Sequence, residues 1–160
     1  MIPSHDADAR LVALLHAYLA ADYRWERGGH WHVFALGEPA PVLEAEYPQA
    51  PGFGLLTAWN PHSVERPEAI NRRADDELRA LLDAGGWPHR PAFARARNRT
   101  WREPGWLVAG IPLPEFDALA RRFGQLSTLY AVRGGPVRLR MYAHPPAGSG
   151  SHPWVDWVGA

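Results

Sequence analysis

Between residues 53 and 132 the chain repeats one arrangement twice, and that repetition limits its fold more than any other feature. Phe53–Ala58 is a mostly apolar run of strand length. A helix follows over Pro67–Ala84, with Pro67 suited to the first helical position and Glu68 to the first turn. Ile70, Ala74, Leu78, Leu81 and Leu82 form its apolar stripe, and Gly85-Gly86 ends it. Ala92–Asn98 alternates as a strand, and Trp106–Ile111 is a second apolar strand. Pro114 opens another helix, with Phe116, Leu119, Ala120 and Phe123 on its inner face and Gly124 at its end. Thr128–Val132 is the last strand of the series. Strand, helix, strand, strand, helix, strand is the order of an α+β, ferredoxin-like (split βαβ) core.

The flanks add to that core. Leu11, Leu14, Leu15, Tyr18 and Leu19 fall on one face of a helix over Asp8–Ala21. Tyr23-Arg24-Trp25 and a Gly28-Gly29 turn precede a strand at His30–Leu36, with Trp31 expected to be buried. Gly37–Pro51 reads as a loop interrupted by a short extended piece at Val42–Glu46. Val137–Met141 pairs with Thr128–Val132 as a closing hairpin across Gly134-Gly135-Pro136. The expected organisation is one domain over 1–145, then a Pro/Gly/Ser-rich linker and an aromatic tail over 146–160. The tail, with Trp154 and Trp157, is expected to dock on its own domain.

Composition excludes several chemistries. The 160 residues contain no cysteine, which removes disulfides, thiolate nucleophiles and cysteine-based metal centres. All 17 basic residues are arginine, so neither a Schiff-base lysine nor a phosphate-loop lysine is available. No apolar run approaches the ~20 residues of a membrane span, and no signal-peptide pattern opens the chain. A cytoplasmic protein with no membrane partner is the expectation. The zero net charge conceals an asymmetry: residues 1–85 carry −6 and residues 86–160 carry +6.

The junction Gly52–Ser63 turns an apolar strand into polar turn chemistry and then into a helix. Thr57, Asn60, Ser63, Asn71, Glu103 and Gln125 are the polar residues that this core brings toward one end. As a site, their amides, hydroxyls and carboxylate orient a small polar or anionic ligand against Trp59 or Trp101. As scaffold, Asn60 makes a side-chain turn, Ser63 helps to cap and Glu103 accepts loop amides. Both readings stand at this point. The leading functional expectation is a non-catalytic binding module near Thr57–Ser63, without cofactor.

Arg95, Arg97 and Arg99 repeat every second residue, which aims them at one face of a regular strand; Arg138 and Arg140 do so on the last strand. Such rows suit phosphate, a nucleotide or nucleic acid. The alternative is edge-strand charge that blocks aggregation. His30-Trp31-His32 supplies at most half a metal site, and no metal is expected. No nucleophile elbow exists. The enzyme alternative uses Glu103 and His62 as an acid–base pair. The third alternative is a protein-interaction or self-association module, acting through the charge-split surface or the tryptophan tail.

The blocks Thr57-Ala58-Trp59-Asn60-Pro61, Trp101-Arg102-Glu103-Pro104 and Phe123-Gly124-Gln125, in that order, resemble a family of small bacterial domains of unknown function. That family carries T-A-[W/Y]-N-P, a following S, N-x-x-R-N, W-x-E-P-S and F-G-Q-N-A. Ser63 and Asn71 fit their places, and Ala17-Tyr18 with Tyr23-Arg24 echo an early A-Y…Y-R feature. The resemblance spans about residues 17–140. Ala74 and Asp75 stand where the family has R and N, Gly105 replaces S, and Leu126-Ser127 replace N-A. It implies a shared fold more firmly than a shared activity, and no cofactor or reaction.

Overall fold

A computed structural model describes residues 5–98 and 101–159. Helix α1 (His5–Ala20) leads into a hairpin of β1 (Asp22–Arg27) and β2 (His30–Val33). A short helix α2 (Pro41–Glu46) precedes β3 (Gly52–Leu56), a single 3-10 turn (Pro61–Ser63) and helix α3 (Glu68–Gly85). Strands β4 (His89–Arg95) and β5 (Arg102–Ala109), helix α4 (Leu113–Arg122), β6 (Ser127–Val132), β7 (Arg138–Met141) and β8 (Val155–Trp157) complete the chain. No described helix is long and apolar enough to cross a membrane.

The fold is a mixed α+β arrangement around one eight-stranded sheet, in the order β2-β1-β4-β5-β3-β6-β7-β8. Every pairing is antiparallel except β7 with β8. Helix α3 carries the chain from β3 to β4, with β5 lying between those two strands. Helix α4 carries it from β5 to β6 across β3. Strand β3 is buried at every residue, as a continuous apolar run covered on both faces should be.

Alternation along the strands divides the interior into two cores, one on each face. Leu55, Leu107, Leu129 and Leu139 pack toward Leu15 of α1 and Leu43 of α2. Leu56, Val108 and Tyr130 pack toward Leu78 and Leu82 of α3 and Phe116 of α4. Gly54 permits the close approach of α4: a Cβ there would lie 2.3 Å from the Phe116 ring.

Several expectations are corrected. Residues 42–46 are helical, because Pro41 starts a turn of helix and Leu43 anchors it in the core. Ile70 is 45% exposed; the stripe of α3 turns Asn71 inward instead. Trp31 is 40% exposed, since β2 is the outermost strand and the ring is covered only by Phe93, 4.7 Å between centroids, and the Arg102 guanidinium. Strand β2 ends at Val33, before Leu36, which makes an isolated bridge to Val137. Strand β4 is not an edge, because the β1–β2 hairpin extends the sheet beyond it.

The aromatic tail forms β8, with the Leu139 amide donating to the Trp154 carbonyl and the Val158 amide to that of Met141. Arg138 and Arg140, expected as a free row, are committed here. Arg138 holds both carboxylate oxygens of Asp156 at 2.8 and 2.9 Å. Arg140 holds both oxygens of Asp117 on α4, at 3.0 and 2.7 Å. Tyr142 donates to Asp117 Oδ1 (2.7 Å), so its own oxygen receives the Thr128 hydroxyl at 2.9 Å. Burial pushes the Tyr142 hydroxyl pKa upward, which keeps it a donor.

Asp117 and Arg140 are both nearly buried, so removing Asp117 leaves the Arg140 charge with only a longer contact to Asp156, at 3.9 Å. Asp117→Ala is expected to cost about 3–5 kcal/mol in urea denaturation. A loss under about 1 kcal/mol would show that the pair does not anchor α4 to the sheet.

Candidate functional site

The chain leaves β3 through Thr57, which ties that strand end to β5. Its hydroxyl donates to the Pro104 carbonyl at 2.7 Å and receives the Trp59 amide at 3.0 Å. The following turn holds three non-glycine residues in the left-handed region: Asn60 (φ 47°), His62 (φ 58°) and Ser63 (φ 56°). Each such residue costs of order 1 kcal/mol and persists only where its surroundings over-determine it.

Buried Asn71 supplies that constraint. Its Oδ1 receives the Asn60 amide (2.9 Å) and Arg66 Nε (2.6 Å), while its Nδ2 donates to Asn60 Oδ1 (2.8 Å). Asn60 Oδ1 also receives the Arg66 amide at 3.2 Å, and the Arg66 guanidinium reaches the Ala58 carbonyl at 2.9 Å. From the α4 side, Gln125 Nε2 donates to the carbonyls of Trp59 (3.1 Å) and Phe123 (3.2 Å). The His62 amide donates to the Gly124 carbonyl at 2.8 Å. From the α1 side, Arg10 donates to the His62 carbonyl at 2.9 Å, and the hydroxyls of Tyr18 and Ser63 share a hydrogen bond.

This turn, α1 and β5 enclose two spaces that share Tyr18, Asn60, Ser63, Trp101 and Glu103 in their walls. The inner recess, about 50 Å³, reaches Leu55, Ala94 and Leu129, with Thr57 and Gln125 at its side. The outer cleft, about 600 Å³, is also lined by Trp59, Glu65, Arg66 and Asn71. All seven residues named as a ligand site, Thr57, Trp59, Asn60, Ser63, Asn71, Glu103 and Gln125, therefore line one or both spaces. Their duties differ. Thr57, Asn60 and Asn71 are occupied in holding the turn, as is the amide nitrogen of Gln125. The Trp59 Nε1 donor is buried and has no partner among the described residues.

Glu103 stands apart. It sits on β5 opposite Ala94, at the boundary of the two spaces. Its carboxyl makes no ion pair or hydrogen bond with another described residue, and burial raises its pKa to about 7. Burial likewise raises the pKa of Tyr18, with the Ser63 hydroxyl acting in the opposite direction and the Glu103 charge adding to the rise. Tyr23, whose hydroxyl donates to the Tyr18 carbonyl at 2.5 Å, is also held neutral by burial. A carboxyl that titrates near neutrality beside neutral hydroxyls can accept a donor, donate as an acid, or pass a proton.

The other proposed groups fall elsewhere. Strand β4 stops at Arg95, so the arginine row does not continue as a regular strand. Arg95 pairs with Asp22 at 2.9 Å, Arg97 Nε donates to the Ala20 carbonyl at 2.8 Å, and Arg99 lies outside the described residues. His62 lines a separate groove with Arg121 and Arg122 and shares neither space with Glu103. His32 stacks against Trp25, 5.1 Å between ring centroids. No three His, Asp or Glu side chains cluster for a metal among the described residues.

Sequence reasoning missed Tyr18, Tyr23 and Arg66 as parts of this region. The two tyrosines carry a signal, the A-Y…Y-R echo, but helical spacing alone places Tyr18 on the apolar face of α1. Arg66 had no signal, because its role depends on where Asn71 comes to lie.

Residues 56–127 match the model of a family described as a protein of unknown function (DUF3293). The matched segment runs from the end of β3 to the start of β6 and includes every residue of the turn, along with Glu103 and Gln125. No curated protein and no solved structure matches the chain.

The raised pKa of Glu103 makes stability depend on pH with a definite sign. Between its ordinary value of 4.5 and about 7 the folded chain holds a proton that the unfolded chain has released. Glu103 therefore lowers stability as pH rises through that window. Glu103→Gln is expected to remove this fall and to raise stability at pH 8 by about 1–3 kcal/mol. Urea midpoints across pH 4–8 measure it; parallel curves for the two proteins would refute it.

Proposed function

We propose that the protein is a non-catalytic binding module for a small polar ligand, held in the cleft between α1, the Thr57–Ser63 turn and β5. One observation carries this reading. Glu103 places a carboxyl that no described residue pairs with at the junction of an enclosed recess and an open cleft, next to Trp101 and a turn held in a costly conformation. Burying an ionisable group without a partner lowers stability, and a ligand that supplies the partner restores it. The core that presents the site is of the ferredoxin-like class; the order β4-β5-β3-β6 with α3 and α4 as crossovers supports that assignment.

The competing readings have less support. Nucleic-acid binding needs free cations, whereas Arg95, Arg138 and Arg140 are paired with Asp22, Asp156 and Asp117. Acid–base catalysis by Glu103 with His62 needs the two groups in one space, and they line different ones.

A thermal-shift panel of amino acids, amines, nucleotides and sugar acids tests the reading. A true ligand at a hundred times its Kd adds about 2.7 kcal/mol, which for a domain of this size raises Tm by roughly 5–10 °C. That shift is expected to disappear in both Glu103→Gln and Trp101→Ala. A silent panel, or a shift that survives in both variants, would count against the cleft.

A further inference from the structure

The geometry points to a ligand with a cationic head: an organic ammonium that seats its charge on Glu103 and lays its apolar body along the aromatic wall of the outer cleft. This deepens the binding-module reading and rests on it. The argument begins with the cations that do not reach Glu103. Arg66 is the nearest along the turn, but its Nε and one terminal nitrogen are held by Asn71 and Ala58. Arg102 is the chain neighbour of Glu103, and adjacent strand residues take opposite faces. Its guanidinium lies over the Phe93 and Trp31 rings, 3.9 and 5.4 Å from their centroids. Arg10 is held by the His62 carbonyl.

The rest of the lining favours positive charge. Glu65 borders the outer cleft, as do Glu68, which is already paired with Arg72 at 2.6 Å, and the rings of Tyr18, Trp59 and Trp101. A cation gains from a carboxylate and from aromatic faces together, and gains more where water is partly excluded. A carboxylate or phosphate ligand would meet Glu103 with like charge and would have to keep it protonated. The recess, about 50 Å³, admits a compact head rather than a second ring. An ammonium is such a compact point charge with three donors. Around it stand Glu103, the Tyr18 and Ser63 hydroxyls and the Gln125 side chain; the Gln125 oxygen is the acceptor end of an amide whose nitrogen is already used.

The titratable and charged groups that line the two spaces with Glu103 are Tyr18 from α1, Tyr23 from β1, Glu65 and Arg66 from the segment before α3, Glu68 from α3 and, on the opposite strand face, Arg102 from β5. Tyr18 and Tyr23 stay neutral through raised pKa values. Ammonium binding requires the ionised carboxylate, so affinity should fall as pH drops through about 7.

Three isosteric probes separate the possibilities: benzylamine, benzyl alcohol and benzoate, titrated calorimetrically into the full chain at pH 8. Benzylamine is expected to bind saturably, benzyl alcohol at least tenfold more weakly, and benzoate weakest of all. Glu103→Gln should weaken benzylamine at least tenfold with an unchanged circular-dichroism spectrum, and lowering the pH from 8 to 6 should weaken it roughly tenfold in the wild type. Binding of benzoate or benzyl alcohol as tight as that of benzylamine would overturn the cationic head and leave the binding module standing. Failure of all three probes would also overturn it, and the broader thermal-shift panel then decides separately whether the cleft binds anything. Undiminished benzylamine binding in Glu103→Gln would overturn both the charge assignment and the role of this residue.

Discussion

The hydrogen bonds between Asn60 and Asn71 set much of the rest of the site. Asn71 is 1% exposed and donates to and accepts from Asn60, with Arg66 closing the set. A buried amide without partners would cost about 1–3 kcal/mol, so a fully satisfied one enforces a single arrangement of its neighbours. That arrangement holds residues 60–63 in backbone conformations that they would not adopt alone. It also fixes where Ser63 meets Tyr18 and therefore where α1 lies over the sheet. The cleft is thus a consequence of how β3 is joined to α3, and the walls that α1 supplies are positioned from the turn outward.

The charge asymmetry between the two halves of the chain has an internal explanation. Asp22 meets Arg95, Glu46 meets Arg90, and Glu77 meets Arg122. Each pair joins an acid from the first half to an arginine from the second. Exposed pairs of this kind contribute only about 0–1 kcal/mol each, so they guide the register of the halves more than they stabilise it. The buried bidentate pair of Asp117 and Arg140 acts differently, because both groups have left water and each depends on the other. With these arginines committed, the zero net charge describes a surface whose opposite signs sit side by side.

The order of helices and strands over residues 53–132 was legible because periodicity and glycine or proline stops report local geometry. That Thr57, Asn60, Ser63, Asn71, Glu103 and Gln125 could meet at one end was also legible, from motif spacing and the order strand, helix, strand, strand, helix, strand; all six line the two spaces. What each side chain does there was not. Asn71 is a polar residue on the apolar stripe of α3, and local spacing does not say what satisfies its amide. Only the turn beside it makes burial favourable. The arginine rows failed for the same reason: alternation predicts a common face, but Asp22, Asp117 and Asp156 arrive from distant parts of the chain. Residues 42–46 are too few for helical periodicity to register, and Leu43 decides their conformation through tertiary contact.

Gly105 sets where Glu103 comes to lie. A Cβ at 105 would lie 2.4 Å from the Leu56 carbonyl oxygen and 3.2 Å from Thr57 Cβ. Strands β3 and β5 meet so closely at this point that only glycine fits without moving the backbone. The same approach brings Pro104 within reach of the Thr57 hydroxyl and carries Glu103, two residues earlier, past the end of β3. With β4 on one side and no strand on the other, Glu103 faces the space under α1 instead of another side chain. The unpaired carboxyl on which the functional reading rests therefore follows from backbone packing at Gly105, and a larger residue there would displace the carboxyl without touching it.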